Sequence, residues 1–164
     1  MELGEFALLA QPHENTMTYF AYGSNMLTAR LLFRCPGAEK IEPAFLIGYT
    51  LGFDKRSRDG SGKCTVRRTG SPSDVVHGVL FTIPQSQVPS LDRAEGEGTE
   101  YDRVLIQAKT KNDKTVPAET YIAKEAKIDR HAIPYDWYLD LVVTGAEQHE
   151  LPHTYIEGLR KEFP

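Results

Sequence analysis

The amino-acid sequence predicts one α+β domain, built around a closed or half-closed β-sheet with short helices beside it. Two observations support this fold class. Segments with strand composition outnumber the helical ones, and the two kinds follow each other in an uneven order rather than in a regular strand–helix alternation. The chain also has 164 residues, 40% of them apolar and 26% charged, which suffices for one globular domain without a disulfide or metal to stabilise it.

The N-terminal segment differs in character from the rest of the chain. A short apolar run at positions 6–10 gives way to a polar stretch without periodicity, and Met17 then directly precedes a clear strand. Chain termini of this kind are the segments that most often lack fixed structure. We therefore expect residues 1–16 to form a flexible extension and residues 17–164 to form the domain.

After this extension, the elements follow from periodicity and from the residues that end them. An aromatic strand at 19–22 stops at Gly23, and a helical segment follows at 26–33. Positions 75–83 form the most β-like run of the chain, which Pro84 ends. The other strands expected are, in chain order, 45–53, 64–67, Tyr101–Lys109 and 116–122. The other helices expected are 87–95, 135–143 and His153–Glu162.

Charge and composition limit the classes of function. The 19 basic and 23 acidic residues give a net charge of −4, whereas domains that follow nucleic-acid phosphates are usually basic. No apolar run approaches the roughly 18 residues that a membrane-spanning helix needs. Cys35 and Cys64 are too few for a disulfide framework and are expected to be reduced thiols. We therefore expect a cytoplasmic protein that binds neither nucleic acid nor membranes.

The segment Tyr22-Gly-Ser-Asn25 lies between the first strand and the first helix. At a strand-to-helix turn the first N–H groups of the helix lack partners, and such groups attract anions or a developing negative charge. Gly23 permits unusual backbone angles and the close approach of a ligand, while Ser24 or Asn25 could serve as the N-cap. The same residue types are also common in ordinary tight turns. Spacing alone leaves both interpretations open.

Glu95 stands at the end of the helix predicted at 87–95. On that helix it shares a face with Val88 and Leu91, which we expect to be buried. Desolvation and the negative end of the helix dipole both raise the pKa of a carboxyl group in such a place, which suits acid/base catalysis near neutral pH. A glutamate that points into solvent is the alternative. Glu97 and Glu100 are expected to be solvated loop charges.

Two further motifs are interpreted as structural. The segment His149-Glu-Leu-Pro-His153 matches a zinc pattern that requires both histidines on one face of a continuous helix. Pro152 removes a backbone donor and interrupts such a helix, so we expect a surface link between two helices and no metal site. The basic residues within positions 55–68 are expected on a solvated hairpin, although one of them could attract an acidic substrate.

Three segments combine into a recognisable pattern. They are YFAYGSNMLT at 19–28, LDRAEG at 91–96 and YLDLVVTGA at 138–146. In this order they resemble the signature, the catalytic-glutamate segment and the C-terminal helix of the γ-glutamyl cyclotransferase family. The likeness extends from about Thr18 to Leu159, so it covers nearly the whole chain except the extension.

The resemblance implies a small mixed β-barrel with short flanking helices, and a reaction that needs no cofactor. The α-amine of a γ-glutamyl substrate would attack the substrate's own γ-carbonyl, which releases 5-oxoproline and a free amino acid. Glu95 would act as the general acid/base, and the loop around Gly23 would hold the substrate's carboxylate or an oxyanion. The substrate-binding residues that the resemblance implies are Ala21, Tyr22, Gly23, Ser24, Asn25, Tyr101 and Tyr138.

Several alternatives share this scaffold. The chain could act on γ-glutamylamines, remove γ-glutamyl groups in a biosynthetic pathway, or bind a ligand without catalysis, although the presence of Glu95 argues against the last. A glutathione-specific relative is expected to differ after the Gly-Ser of the loop. The expected partners are a small γ-glutamyl substrate and a second copy of the chain in a homodimer.

Overall fold

Five strands form a closed barrel in the computed structural model, which describes residues 15–162. The strands of the chain are, in order, β1 (Thr16–Ala21), β2 (Glu39–Ile47), β3 (Tyr49–Arg56), β4 (Gly62–Arg68), β5 (Val75–Pro84), β6 (Tyr101–Lys109) and β7 (Thr115–Ala123). The barrel order is β1-β5-β2-β6-β7, while β3 and β4 pair as a separate hairpin. Because β1 runs antiparallel to β5 but parallel to β7, the barrel is mixed, and the predicted fold class is confirmed.

Short helices flank the barrel, as predicted. Within the described part of the chain they are α1 (Thr28–Arg34), α2 (Val88–Glu95), α3 (Asp136–Gln148) and α4 (His153–Glu162). The third of these runs five residues beyond the predicted end at position 143. None of the helices in residues 15–162 is long and apolar enough to cross a membrane.

The strand predicted at 45–53 is wrong, because the chain turns sharply at Gly48. Gly48 has a φ of +84°, in the left-handed region that glycine adopts most readily. Its N–H donates to Asp74 O at 2.7 Å, and its carbonyl accepts from Thr69 N at 2.8 Å. The turn directs the chain out of the barrel, so that one apolar run supplies the end of β2 and the start of the β3–β4 hairpin.

The first strand begins within the segment that we expected to be an extension. Thr16 pairs with Pro84 in the β1–β5 ladder, and Asn15 O accepts a hydrogen bond from Gln85 N at 2.9 Å. The expected flexibility of residues 1–14 lies outside the described residues and stays a prediction.

The core is densest where β5 crosses the middle of the molecule. Leu80 and Phe81 are consecutive and point to opposite faces of the sheet, yet each is almost completely buried. Both faces of this strand are therefore covered here, which explains why its middle, Val79 to Phe81, is apolar without polar alternation. The other side chains without appreciable exposure include Phe20, Leu31, Leu46, Val76, Val79, Ile83 and Leu91.

Helix α3 packs closely against the segment that follows β1. A Cβ atom at Gly145 would lie only 2.6 Å from Leu27 N, so the helix and this segment approach each other at a distance that only glycine allows. Gln148 Oε1 accepts a hydrogen bond from Thr28 N at 3.0 Å. The contacts fix the start of α1 and the loop before it on the body of the protein.

His149 belongs to the same contact, and the expectation that it lies in a surface link is wrong. Its imidazole is buried, and Nε2 donates to Met26 O at 2.7 Å and lies 3.2 Å from Thr28 Oγ1. His153 is exposed instead and pairs with Glu157 on α4. The two histidines of the motif therefore lie in different environments, one buried and one exposed. They do not share a helix face, because α3 ends at Gln148 and a separate helix, α4, begins at His153.

We expect stability to depend on the protonation of His149. Burial lowers the pKa of His149, so the folded protein keeps this imidazole neutral, while the unfolded chain protonates it near pH ~6.5. The unfolded state then binds more protons below that pH, and stability is lost as the pH falls. In His149→Gln this contribution is absent, so melting temperatures at pH 8 and 5.5 should differ less than in the wild type.

The exposed His153→Gln variant is the matched control and should keep the wild-type difference between the two pH values. Equal pH dependence of wild type and His149→Gln would contradict the prediction.

Candidate active site

A cleft of about 480 Å³ opens between the β3–β4 hairpin, the segment after β1 and the end of α2. A smaller chamber of about 30 Å³ adjoins it. Ser24, Glu95, Tyr101 and Tyr138 line both spaces and thus stand at the passage between them. The cleft has the size of pockets that hold small molecules, whereas the chamber admits only part of one.

Glu95 reaches the passage because α2 ends directly after it. Gly96 adopts left-handed angles, with a φ of +69°, and its N–H donates to Arg93 O at 3.2 Å. The next N–H, that of Glu97, donates to Asp92 O at 2.9 Å, which completes a Schellman ending. Leu91, one turn earlier on the same face of the helix, is fully buried. The burial of Leu91 therefore fixes the face of α2 on which Glu95 lies.

The carboxylate of Glu95 forms a compact network with the loop after β1. Asn25 Nδ2 donates to Glu95 Oε1 at 2.7 Å and also to Tyr19 Oη at 3.1 Å. Arg34 Nη1 donates to Asn25 Oδ1 at 2.8 Å and lies 3.3 Å from the same carboxylate oxygen. Two segments that are 70 positions apart in the sequence therefore meet through one amide and one carboxylate.

Burial raises the pKa of the Glu95 carboxyl group above its ordinary value, and Arg34 and Asn25 partly oppose this change. The position at the C-terminal end of a helix also disfavours the anion. Glu100, on the rim of the same cleft, behaves in the opposite way, because hydrogen bonds from Lys127 and Lys55 lower its pKa. Of the two carboxylates, Glu95 is the one whose environment favours the protonated form. The expectation of a solvated Glu100 is wrong.

The loop itself differs from the predicted capped turn. Ser24–Met26 form a 3-10 turn, and α1 begins only at Thr28 without a side-chain cap, so neither Ser24 nor Asn25 is the N-cap. Ser24 Oγ instead accepts a hydrogen bond from Arg30 Nε at 3.0 Å. The polar side chains predicted here are thus used to organise the site rather than to start the helix.

Gly23 is required by space rather than by a left-handed conformation, since its φ is −114°. A Cβ atom at this position would lie 3.1 Å from Cys64 Cβ and 3.5 Å from Tyr138 Oη. A side chain at this position would therefore require Cys64 of the hairpin to shift by a few tenths of an ångström.

Tyrosine hydroxyls join the walls of the chamber. Tyr101 Oη donates to Cys64 O at 2.8 Å, and Cys64 N donates to Tyr138 Oη at 3.0 Å, so both rings are fixed on one residue of β4. Tyr22 Oη donates to the carbonyl of Tyr121. Burial raises the pKa of Tyr22, Tyr101 and Tyr138, so all three remain protonated.

The structure brings most of the predicted site residues together. Those that border the chamber are Tyr22, Gly23, Ser24, Asn25, Glu95, Tyr101 and Tyr138. Ala21 differs, because it is fully buried at the end of β1 and lines neither the chamber nor the cleft. The roles of all these residues in binding and catalysis stay predictions.

Sequence reasoning missed Arg30 and Arg34, which both line the cleft. They are four positions apart on α1 and therefore share a face, where two like charges destabilise a helix unless they have partners. That spacing, directly after the loop, is a signal that could have been used. Tyr19, Tyr121 and Cys64 carry no such signal, because only barrel closure and the hairpin bring them to the chamber.

The cleft is cationic although the chain as a whole is acidic. Its lining contains six basic side chains and three carboxylates. The basic residues are Arg30, Arg34, Lys55, Arg58, Lys63 and Arg93, and the acidic ones are Asp59, Glu95 and Glu100. This local excess of positive charge favours an anionic ligand over a neutral or cationic one.

We expect Arg34→Met to raise the pKa of Glu95 further. Arg34 is the largest influence that favours the ionised carboxylate, and methionine keeps the apolar part of the side chain while removing the charge. The pKa can be followed by carbon NMR of side-chain carboxyl groups, with Glu95→Gln to assign the signal. Arg56→Met, which removes an exposed cation of β3 outside the contact network of Glu95, should leave this pKa unchanged. A lower or unaltered pKa in Arg34→Met would refute the expectation.

Comparisons with known proteins identify relatives of this chain. A family model described as the AIG2-like family matches residues 75–159. A mouse γ-glutamylcyclotransferase is 32% identical to the chain over 91% of the chain and 80% of the mouse protein. The human γ-glutamylcyclotransferase is 31% identical over 93% of the chain and 82% of the human protein.

A solved structure of a γ-glutamyl cyclotransferase has the same fold. It superimposes with a TM-score of 0.80 at 30% identity and covers 88% of this chain and 86% of its own. The sequence matches extend over the barrel, the loop after β1, α2 and the cleft. The chain therefore belongs to the AIG2-like family of γ-glutamylcyclotransferases.

Proposed function

We propose that the protein converts γ-glutamyl amino acids and γ-glutamyl dipeptides into 5-oxoproline and a free amino acid or peptide. The named activity of the mouse and human relatives supports the reaction class. The cationic cleft supports substrates that carry carboxylates at both ends. Its volume of about 480 Å³ accommodates a molecule of dipeptide size.

The reaction is balanced within the substrate itself. The α-amine attacks the γ-carbonyl, a new C–N bond closes the five-membered lactam, and the bond to the departing nitrogen breaks. The attacking nitrogen changes from ammonium to lactam N–H and loses two protons, while the departing nitrogen changes from amide N–H to ammonium and gains two. One group that accepts a proton and returns it can carry out both transfers.

The observation that carries this proposal is the environment of Glu95. Its side chain is 17% exposed, is held by Asn25 at 2.7 Å, and borders both the chamber and the cleft. Burial raises its pKa, which makes the carboxylate a better proton acceptor than an exposed glutamate. In our proposal it takes a proton from the attacking nitrogen and gives it to the departing one.

The loop after β1 is proposed to orient the γ-glutamyl part. Gly23 and Asn25 border only the small chamber, and backbone N–H groups at such a site can stabilise a carboxylate or the oxyanion that forms at the γ-carbon. Tyr22, Tyr101 and Tyr138 surround the same space as neutral, fixed walls. Such a folded pocket favours the bent substrate conformation in which amine and carbonyl meet.

Glu95→Gln tests the proposal. We expect a loss of about 10²- to 10⁴-fold in the rate of 5-oxoproline release from γ-glutamyl-alanine, because glutamine fills the same space but cannot transfer the proton. The product is measured by chromatography, and circular dichroism verifies the fold of the variant.

The control is Glu97→Gln, which removes an exposed carboxylate two residues away and should retain full activity. An active Glu95→Gln variant would mean that another group transfers the proton. A wild-type protein that releases no 5-oxoproline from any of several γ-glutamyl amino acids would refute the proposed function.

A further inference from the structure

Lys63 is a half-buried cation whose ammonium has only a distant anion beside it. It lies on β4 and lines the cleft, and its side chain is only 17% exposed. Its ammonium has no hydrogen-bond acceptor among the described residues, and the nearest carboxylate oxygen, that of Asp59, is 3.8 Å away. An ammonium group has three donors, and burial without acceptors is unfavourable.

Two aromatic rings hold this ammonium in place. Lys63 Nζ lies 4.4 Å from the ring centroid of Trp137 and 4.4 Å from that of Tyr138. Cation–π contacts stabilise the charge and orient the side chain, but they accept no conventional hydrogen bond. The N–H groups of Lys63 thus have no acceptor among the described residues, and the side chain borders the cleft.

Three other cations of the hairpin have close carboxylate partners. Lys55 pairs with Glu100 at 3.1 Å, and Arg56 and Arg67 pair with Asp129 and Asp54 at 3.3 and 3.4 Å. The solvated hairpin expected from the sequence therefore describes Arg56 and Arg67, whose side chains are more than half exposed, but not Lys63.

Arg30 reinforces the positive charge beside Lys63. It lines the same cleft, and its Nε donates to Ser24 Oγ, a neutral acceptor. No carboxylate of residues 15–162 forms an ion pair with it. The proximity of Arg30 is one of the causes that lower the pKa of Lys63, after burial. An ammonium without a hydrogen-bond acceptor and a guanidinium without an ion pair, both lining one cleft, form a site for a carboxylate.

The position of Lys63 relative to Glu95 indicates which carboxylate this is. Lys63 borders the open cleft and not the chamber, whereas Gly23 and Asn25 border the chamber and not the cleft. Glu95, where the bond is exchanged, lies between the two spaces. A substrate whose γ-glutamyl part is held at the chamber therefore extends its leaving group towards Lys63.

We infer that Lys63 binds the α-carboxylate of the leaving amino acid and so makes the enzyme select γ-glutamyl amino acids over γ-glutamylamines. This inference rests on the proposed function and adds the group that recognises the leaving side. Arg30 supports the same carboxylate from α1. An amine leaving group carries no carboxylate, so the ammonium of Lys63 would have no hydrogen-bond acceptor in that complex.

The test compares two substrates that differ only in this carboxylate, γ-glutamyl-L-alanine and γ-glutamyl-ethylamine. The wild type should prefer the alanine compound by about 10- to 100-fold in kcat/KM, the range for a charged hydrogen-bonded pair. In Lys63→Met this preference should fall to about 3-fold or less, with the loss mainly in KM for the alanine compound and little change for the ethylamine compound. Methionine keeps the contact with the two rings.

Arg67→Met, on the same strand but outside the cleft, is the control and should keep the wild-type preference. If Lys63→Met fails to fold, Lys63→Gln allows the same comparison. The inference is overturned if the wild type uses both substrates equally, if Lys63→Met loses activity equally on both, or if it loses none. If the wild type releases 5-oxoproline from neither, the proposed function fails and the inference falls with it.

Discussion

The hydrogen bond between Asn25 and Glu95 is the contact on which the rest of the site depends. A carboxylate buried to this extent is unfavourable unless it has partners, and Asn25 and Arg34 supply them. Both partners come from the segment after β1, which α3 holds in place through Gly145 and His149. The positions of the loop, of α1 and of the end of α2 are therefore linked through one carboxylate.

Burial and hydrogen bonding have opposing effects on the pKa of the Glu95 carboxyl group. Burial raises the pKa of Glu95, while Arg34 and Asn25 prevent the anion from being excluded altogether. Glu100, only five positions later, has two lysine partners, which lower its pKa. The pKa values of two glutamates in one cleft thus shift in opposite directions, because burial dominates at Glu95 and two lysine partners dominate at Glu100.

Much of the fold was predictable because it rests on local patterns. The strand at Tyr101–Lys109 and the helix at His153–Glu162 have the predicted bounds, since turn residues or polar segments delimit them. The prediction failed at Gly48, where one apolar run serves two strands, because apolar composition does not show where a chain leaves a sheet. It also missed the start of β2 at Glu39, since the first residues of that strand are exposed and show no alternation.

The sequence by itself determined the fold class, the order of the elements and the motifs that identify Glu95 and the loop from Tyr22 to Asn25. Only the tertiary structure decided that these two segments meet, that Arg34 joins them, and that the ammonium of Lys63 lies between two rings without a hydrogen-bond acceptor. The physical reason is that periodicity and capping report on neighbours along the chain, within a turn or a strand. Barrel closure and hairpin docking instead set burial and charge pairing among residues tens of positions apart.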